Sequence, residues 1–237
     1  MLRTRQMALF RHPARWVVTA GPTREAVDPV RFLSNRSTGT LGFLIAAAAR
    51  KRGHRVTLIS GPVERATPAG VRRVDVESAR QMERAVRTAF RRADGLVMTA
   101  AVGDFRAAAP RRNKIRRGAG DLKLKLVLNP DIVAKAARSK RPGQVVIGAA
   151  LESGSPLAGG LRKLRDKGLD GIVATGVTGA GRGPFGQRPI SGWLIGEGSR
   201  RRFRNWSKGW LAGEIVRMAE RLLDQKMVAG RGRRPRQ

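Results

Sequence analysis

The chain contains no cysteine and no tyrosine, and aromatic residues make up only 5% of its 237 residues. Without cysteine there is no disulfide framework, thiolate zinc site, iron–sulfur cluster or cysteine nucleophile. Long apolar runs are missing too, since the longest unbroken one, at 43–49, is far shorter than the roughly 20 residues that a membrane-spanning helix needs. These absences predict a soluble, cytoplasmic protein that does not interact with membranes.

Acidic residues are scarce as well, because 17 Asp and Glu stand against 49 Lys and Arg and give a formal net charge of +32. A positive field of this size favours polyanionic partners, from nucleoside triphosphates to nucleic acid. The basic residues are spread along the chain, and no recognisable nucleic-acid motif accompanies them. These two observations weigh against nucleic acid, but the charge by itself does not say which polyanion is bound.

Hydrophobic residues account for 41% of the chain, enough to build one large core. We predict a basic, disordered leader at 1–15, a single α/β domain at 16–225 and a basic, disordered tail at 226–237. The two histidines, His12 and His54, are expected on the surface.

Between the two ends, short β-rich apolar runs alternate with segments of helical periodicity. Strands are predicted at 16–20, 56–60, 71–76, 95–101, 144–150 and 171–174, and helices at 38–52, 129–140, 157–167 and 207–225. Another helix should open at Ser78, where Gln81 completes a capping box. This alternation predicts an α/β fold, a Rossmann-like three-layer αβα sandwich with a mainly parallel sheet.

Two stretches interrupt the alternation. Residues 21–37 separate the first strand from its helix by about 17 residues, whereas such connections usually have about 2 to 6. Residues 102–128, named the flap below, are basic at first and end in a period-two pattern at 122–126, which predicts a protruding β-hairpin. Because ligands collect beyond the carboxyl ends of parallel strands, we expect both stretches to border the site.

The end of the first loop runs into the first helix with small and hydroxylated residues. Ser37 or Thr38 could cap this helix, while Gly39 and Gly42 allow close approach of the backbone. Free amides at the helix start would hold a phosphate or a carboxylate, although an ordinary capped helix would show the same residues. Neither the dinucleotide fingerprint nor a Walker A loop is present.

Several blocks in a fixed order resemble one family. They are GPTRE at 21–25, DPVRF at 28–32, SNRSTG at 34–39, SGPV at 60–63, AAVGDFR at 100–106, KIRR at 114–117, NPDI at 129–132 and KLRDK at 163–167. Together they resemble phosphopantothenoylcysteine synthetase, the second half of a bifunctional coenzyme A biosynthesis flavoprotein. The likeness extends over about 16–223, and no counterpart of the flavin-binding decarboxylase half is recognised.

The resemblance implies a ligase that activates 4′-phosphopantothenate with CTP, or with ATP, and Mg²⁺. Cysteine would then displace the nucleotide from the acyl-nucleotidyl intermediate. A homodimer formed through the flap is implied too, together with a possible separate flavin decarboxylase partner. A carboxylate that attacks an α-phosphorus needs no catalytic triad, but it needs positive charge and placement.

The resemblance also assigns roles to individual residues. Asn35 and Lys114 are expected to be catalytic, Asn35 by donating to the carbonyl oxygen under attack and Lys114 by closing over the nucleotide phosphates. The expected substrate-binding residues are Arg31, Ser37, Thr38 and Gly39. The expected nucleotide-binding residues are Gly21, Ala100, Ala101, Asp104, Asn129, Asp131, Ile132, Lys163 and Lys167. No protein metal ligands are expected.

Simpler interpretations remain for several of these side chains. Asn35 could form an Asx-turn, Arg31 a surface salt bridge to Glu25 or Asp28, and Asn129 a helix cap. The pair Lys163 and Lys167 lies on one helix face, where lysines are usually just solvated.

Three segments depart from the family pattern on the expected nucleotide side: GAALES at 148–153, AT at 174–175 and GPFGQR at 183–188. They leave a second functional class open, a catalytically eroded binder of nucleotides or pantothenate derivatives. A nucleic-acid binder driven by charge is a third possibility.

Overall fold

The computed structural model describes residues 13–118, 121–177, 185–186 and 188–231. The strands are β1 (Arg15–Ala20), β2 (Arg24–Ala26), β3 (Phe32–Ser34), β4 (Arg55–Ser60), β5 (Arg72–Asp75), β6 (Gly95–Met98), β7 (Phe105–Ala107), β8 (Leu126–Leu128), β9 (Val145–Glu152), β10 (Gly171–Gly176), β11 (Ile190–Gly196) and β12 (Ser199–Trp206). The helices are α1 (Thr40–Lys51), α2 (Ala79–Phe90), α3 (Ile132–Arg138), α4 (Pro156–Asp166) and α5 (Lys208–Arg231).

The central sheet has eight strands in the order β12-β11-β10-β9-β6-β1-β4-β5. Six neighbouring strands run parallel: β5, β4, β1, β6, β9 and β10. The strands β11 and β12 add an antiparallel edge. The chain moves outward from β1 to β4 and β5, then returns to β6 on the other side of β1. The carboxyl ends of β1 and β6 therefore form a topological switch point, where open α/β sheets bind ligands.

Helices cover both faces of this sheet. Apolar residues of α1 and α5 form one core cluster with one face, and those of α2, α3 and α4 contribute to a second cluster on the other. The predicted three-layer α/β architecture is confirmed. Within the described ranges, no helix is both long and apolar enough to cross a bilayer.

Several element boundaries differ from the prediction. The capping box of α2 is confirmed, because Ser78 Oγ accepts from the Gln81 amide and the Gln81 side chain accepts from the Ser78 amide. The helix predicted from residue 129 begins only at Ile132, since Asp131 rather than Asn129 caps it. The strand predicted to reach residue 101 ends at Met98, and the last helix passes the predicted end at residue 225.

Two hairpins were not predicted. The long first loop contains the ribbon β2–β3, and β11–β12 supplies the antiparallel edge of the main sheet. The strand β12 reads SRRRFRNW, in which only Phe203 is buried, so the sequence lacked the alternating apolar pattern that marks a half-buried strand.

The flap forms a ribbon only at its base. There β7 pairs antiparallel with β8, and Phe105 lies opposite Leu128. The strand predicted at 122–126 is wrong except for its last residue, Leu126. The neighbouring strand, at 105–107, pairs with 126–128 instead. Alternation alone does not make a strand without a hydrogen-bonding partner.

The surface position expected for His54 is wrong. Its ring is fully buried between α5 and the start of β1, where Nδ1 accepts from the Ala14 amide at 3.2 Å and Nε2 lies 2.9 Å from Glu220 Oε1. Arg52 also pairs with Glu220 at 2.7 Å, so this carboxylate fastens α5 to the α1–β4 turn. His12 lies outside the described residues.

Helix α1 approaches the end of β1 closely enough to exclude a side chain at Gly42. A Cβ atom there would lie 2.6 Å from Ala20 Cβ and 2.7 Å from the Thr19 carbonyl oxygen. This contact sets the position of the α1 amino end relative to the carboxyl end of β1.

We expect Gly42→Ala to lower the free energy of unfolding by about 1–3 kcal/mol, because the added methyl group must push α1 away from the sheet. The matched control is Gly209→Ala in the first turn of α5, where a Cβ meets nothing within 4 Å. Urea denaturation of both variants checks this. Equal stability of the two variants would contradict the close contact.

Candidate functional site

A cleft of about 1090 Å³ opens at the switch point between β1 and β6. Its walls are the end of the first loop with the first turn of α1, the segment that follows β6, and the ends of β9 and β10. Of the predicted site residues, it brings together Asn35, Ser37, Thr38, Gly39, Ala100, Ala101, Asp104, Asn129, Asp131, Ile132, Lys163 and Lys167.

The first loop is fastened to the segment after β6 by hydrogen bonds on both backbones. The Thr23 amide donates to the Ala101 carbonyl at 3.2 Å, and the Ala101 amide donates to the Gly21 carbonyl at 2.9 Å. Buried Thr23 also accepts the Gly103 amide on its hydroxyl at 3.0 Å. Two loops that are about 80 residues apart in sequence thus form one rigid wall.

Asn35 lies in this wall. Its side-chain Nδ2 donates to the Ala101 carbonyl oxygen at 3.0 Å, so the amide is anchored within the wall rather than folded into a local Asx-turn. A primary amide has a second N–H hydrogen on the same nitrogen. The anchored amide can therefore offer a fixed donor to an oxygen bound in the cleft.

Helix α1 begins without a side-chain cap, which corrects the expectation for Ser37 and Thr38. Its N-cap residue is Gly39, in the left-handed region at φ 71°, where glycine is favoured. Ser37 Oγ accepts the Gly39 amide at 3.3 Å, and the Thr38 hydroxyl lies 2.9 Å from that of Thr40. The helix start presents backbone amides to the cleft, an arrangement that suits an anion.

Backbone groups of the Ala100–Ala101 pair are already engaged within the protein. The Ala100 amide donates to Thr19 Oγ1 at 3.1 Å, and both polar backbone groups of Ala101 bond to the first loop. These groups hold the wall in place. Asn129 holds the wall from the flap base. Its side-chain Nδ2 donates to the Gly103 carbonyl at 2.9 Å, and its backbone amide donates to the Asp104 carbonyl at 2.8 Å.

Each lysine of the predicted pair on α4 faces an acidic partner in the cleft. Lys163 Nζ lies 2.8 Å from Glu152 Oε1, and Lys167 Nζ lies 2.9 Å from Asp131 Oδ2. Burial acts to raise the pKa of Asp131, but the Ala134 amide and the charge of Lys167 outweigh it and lower the pKa. A bound phosphate would therefore compete with these carboxylates for the two lysines.

The structure adds one cation that the sequence reasoning missed. Lys208, the first residue of α5, is 5% exposed and lines the cleft. Burial, and then the nearby charge of Arg65, lower the pKa of its ammonium group. Arg65 itself reaches the first turn of α1, where Nη1 donates to Thr40 Oγ1 at 3.3 Å. The signal in the sequence was the start SKGWL of an amphipathic helix, which looks like an ordinary helix start.

Three predicted site residues do not line the cleft. Gly21 lies behind the wall. Its φ of 76° disfavours any side chain, and a Cβ atom there would lie only 3.0 Å from the Gly61 carbonyl oxygen. Lys114 belongs to the flap, and Arg31 of the first loop contacts the flap at Ile115. Arg31 forms the salt bridge to Asp28 that the sequence left open, with Nη1 2.7 Å from Oδ2.

A second depression, wider and about 2480 Å³, lies along α2 and the first residues of β1 and β4. It is rich in arginine, but it includes only Arg24 of the first loop and no residue of the segment that follows β6. The smaller cleft is therefore the candidate active site.

Acidic groups in the cleft do not build a protein metal site. Among the described residues, no cluster of three or more His, Asp or Glu side chains is placed to hold a metal ion. A magnesium ion that enters with a nucleotide would be held by phosphate oxygens and water.

The family model described as DNA/pantothenate metabolism flavoprotein C-terminal domain matches residues 12–222. The chain belongs to this family. The synthetase resemblance seen in the sequence is thereby confirmed, and four of the eight ordered blocks that carried it line one cleft.

Relatives and a solved structure agree with this assignment. The chain is 47% identical to the coenzyme A biosynthesis bifunctional protein CoaBC of Escherichia coli over 165 residues, covering 68% of this chain and 41% of that protein. It is 39% identical to CoaBC of Mycobacterium bovis over 231 residues, covering 89% and 55%. A crystal structure of a CoaBC C-terminal domain matches with a TM-score of 0.75 at 30% identity, covering 90% of this chain and 96% of that one. The chain thus spans about two-fifths to just over half of these two relatives.

The departures from the family pattern also lie at this cleft. Ala149, Ala150 and Leu151 at the end of β9, and Thr175 of β10, line it together with Phe185. Residues 183, 184 and 187 of the last altered segment lie outside the described residues. The altered side chains therefore shape the wall opposite the first loop.

Asp28 generates a pH prediction. Burial acts to raise its pKa, but hydrogen bonds from the Ile115, Val30 and Arg31 amides and from the Arg31 side chain outweigh burial and lower the pKa from 3.8 to about 2. Because the folded state holds the carboxylate more strongly than the unfolded chain does, its stabilisation is complete above pH 3.8 and is lost as the pH falls towards about 2.

We expect Asp28→Asn to be less stable than the unaltered protein near neutral pH, with a difference that shrinks between pH 4 and pH 2. Urea denaturation of both proteins across this range measures it. A difference that stays constant down to pH 2 would contradict the lowered pKa.

Proposed function

We propose that this protein condenses 4′-phosphopantothenate with cysteine, using a nucleoside triphosphate, in coenzyme A biosynthesis. The observation that carries the proposal is the cleft at the switch point, where the Asn35 amide, the uncapped start of α1 and the cations of α4 and α5 converge. Its position in a chain of this family makes a nucleotide and an acidic substrate the ligands that fit best.

The chemistry needs placement and positive charge more than it needs a nucleophilic side chain. The substrate carboxylate attacks the α-phosphorus of CTP, and the bond to pyrophosphate breaks. The amine of cysteine then attacks the acyl carbon, loses a proton, and expels the nucleoside monophosphate. Both steps place negative charge on oxygens that fixed donors and cations can stabilise.

We assign Asn35 to the second step. Its amide is held against Ala101 at 3.0 Å, which fixes the direction of its remaining N–H hydrogen. A donor fixed in this way can stabilise the carbonyl oxygen as cysteine attacks, without reorganising during the reaction. Ser37, Thr38 and Gly39 lie at the adjacent helix start and would hold the anionic end of a substrate.

We assign the polyphosphate to the cations of the cleft. Lys208 is buried beside the first turn of α1, while Lys163 and Lys167 approach from α4. The acidic partners of the two α4 lysines offset their charge, and the phosphates would take over part of that pairing. CTP is the proposed nucleotide and ATP is the alternative, because the pairing described here concerns phosphates and not the base.

The assay is release of pyrophosphate from CTP or ATP in the presence of 4′-phosphopantothenate, Mg²⁺ and cysteine. Asn35→Ala should retain pyrophosphate release in the activating step but form amide slower by a factor on the order of 100, because one donor to the developing oxyanion is lost. Asn113→Ala, an exposed asparagine of the flap, is the matched control and should behave like the unaltered protein.

Two results would refute this assignment. Absence of pyrophosphate with either nucleotide would refute the ligase, and calorimetric binding without turnover would then favour the eroded binder. Normal amide formation by Asn35→Ala would refute the role of this residue.

We also propose a homodimer that forms through the flap base and the β2–β3 ribbon. β2 contacts β7, and these neighbouring ribbons expose large apolar side chains. Phe105 is 51% and Leu128 70% exposed, and the pair lies opposite each other on one face of β7–β8. Val30, Phe32 and Leu126 are exposed as well. An exposed apolar surface of this kind on ordered strands supports an interface with a second copy.

Leu128→Asp should shift the protein from dimer to monomer, because the interface would then have to bury an unpaired carboxylate. Sedimentation velocity measures the change. Val228→Asp, at an equally exposed apolar position near the end of α5, is the control and should stay dimeric. If the unaltered protein sediments as a monomer at micromolar concentration, the dimer is refuted.

The relatives carry additional length that this chain does not match. We propose that a flavin-dependent decarboxylase acts on the product of this domain.

A further inference from the structure

The flap is an exposed segment with little regular structure. Between β7 and β8, its described residues form neither helix nor strand, and nearly all of them are exposed. One backbone hydrogen bond ties its first part to the body, from the Arg111 amide to the Val27 carbonyl at 2.9 Å. The next tie is at Ile115, the residue that follows Lys114.

Asp28 makes this second tie from a buried position. The Asp28 side chain is fully buried, and its Oδ1 accepts the Val30 amide at 2.8 Å and the Arg31 amide at 2.7 Å. These two bonds close a local turn. Its Oδ2 accepts the Ile115 amide at 3.1 Å, from 87 residues further along the chain.

Arg31 completes the contact from the other side. Its Nη1 donates to Asp28 Oδ2 at 2.7 Å and also to the Ile115 carbonyl oxygen at 3.1 Å. The ion pair therefore holds both polar backbone groups of Ile115. The local turn would be satisfied without the flap, so the bonds to Ile115 act on the flap and add to the Arg111–Val27 bond in holding it against the first loop.

We propose that the Asp28–Arg31 pair is a clamp that positions Lys114 by holding the backbone of Ile115. The inference rests on the proposed function and on the role that the family resemblance implies for Lys114, which is to close over the nucleotide phosphates from the flap. It makes Asp28 a positioning residue and gives Arg31 a role in orienting the flap.

Holding the flap in place reduces the conformational entropy that the protein loses when substrate binds. A lysine on a free, exposed loop would lose backbone and side-chain freedom on each encounter. Holding the next peptide in place leaves only the side chain to order, and it ties Lys114 to the same loop that carries Asn35. Two groups of one reaction are thereby placed by one segment.

The first test of the clamp measures the mobility of the flap with a spin label. Because the chain has no cysteine, Asn113→Cys gives a single site for a nitroxide label on the flap. We expect a motionally restricted electron paramagnetic resonance spectrum for the labelled protein and loss of the restricted component on adding Asp28→Asn. Asp75→Asn, which breaks the Arg73–Asp75 pair on β5, is the matched control and should leave the spectrum unchanged.

The positioning role is tested by a double-mutant cycle. Asp28→Asn and Lys114→Gln should each lower kcat/KM for the nucleotide on the order of 10- to 100-fold. The double variant should be no worse than Lys114→Gln alone, because a displaced lysine and a missing one lose the same contact.

The outcomes separate cleanly. An unchanged label spectrum in Asp28→Asn overturns the clamp, and independent, multiplying losses of kcat/KM overturn the positioning of Lys114. If Asp28→Asn fails to fold, Ile115→Pro removes the flap's amide donor while the Asp28 turn stays intact, and it should free the label in the same way. If the unaltered protein releases no pyrophosphate, the proposed function fails and the spectra alone decide the clamp.

Discussion

The site depends on the hydrogen bonds that join the first loop to the segment after β6. The Ala101 carbonyl accepts from both the Thr23 amide and the Asn35 side chain, and the Ala101 amide returns a bond to Gly21. Gly21 and Thr23 are buried, so their backbone groups would be left unsatisfied if the two segments separated. A loop of unusual length is thereby made rigid enough to place an amide.

Charge is the second constraint on the cleft. The whole chain is strongly cationic, yet two of the lysines at the site are neutralised by Glu152 and Asp131. The lysine side chains are 33% and 29% exposed, so each pair offsets charge without the large desolvation cost of a buried ion. The overall field would attract polyanions from a distance, while the local pairs leave the phosphates to be recognised by exchange of partners.

The flap joins these two features. Its base belongs to the wall through Asn129, and its middle is held by the buried carboxylate of Asp28. Both attachments lead to the first loop or to the segment that is bonded to it. The exposed apolar ribbons at the flap base then offer a surface that a second copy could cover, so the same element would serve the site and the assembly.

The sequence by itself determined the alternation of strands and helices, the three-layer fold, the capping box of α2 and the family. These follow from local periodicity, from short cap motifs and from ordered blocks, which do not depend on distant contacts. Twelve of the fifteen site residues that the family resemblance implied line the cleft, which lies where the carboxyl ends of parallel strands converge.

Only the tertiary structure decided the rest, because pairing partners and burial depend on segments far apart in the chain. The arginine-rich β12 is a strand through its pairing with β11, and the alternating leucines before Leu126 are not a strand because no strand among the described residues pairs with them. Packing against α5 buries His54 beside Glu220, and Lys208 enters the cleft because of where α5 starts. The contact of Asp28 with Ile115 joins residues 87 positions apart, which no local pattern encodes.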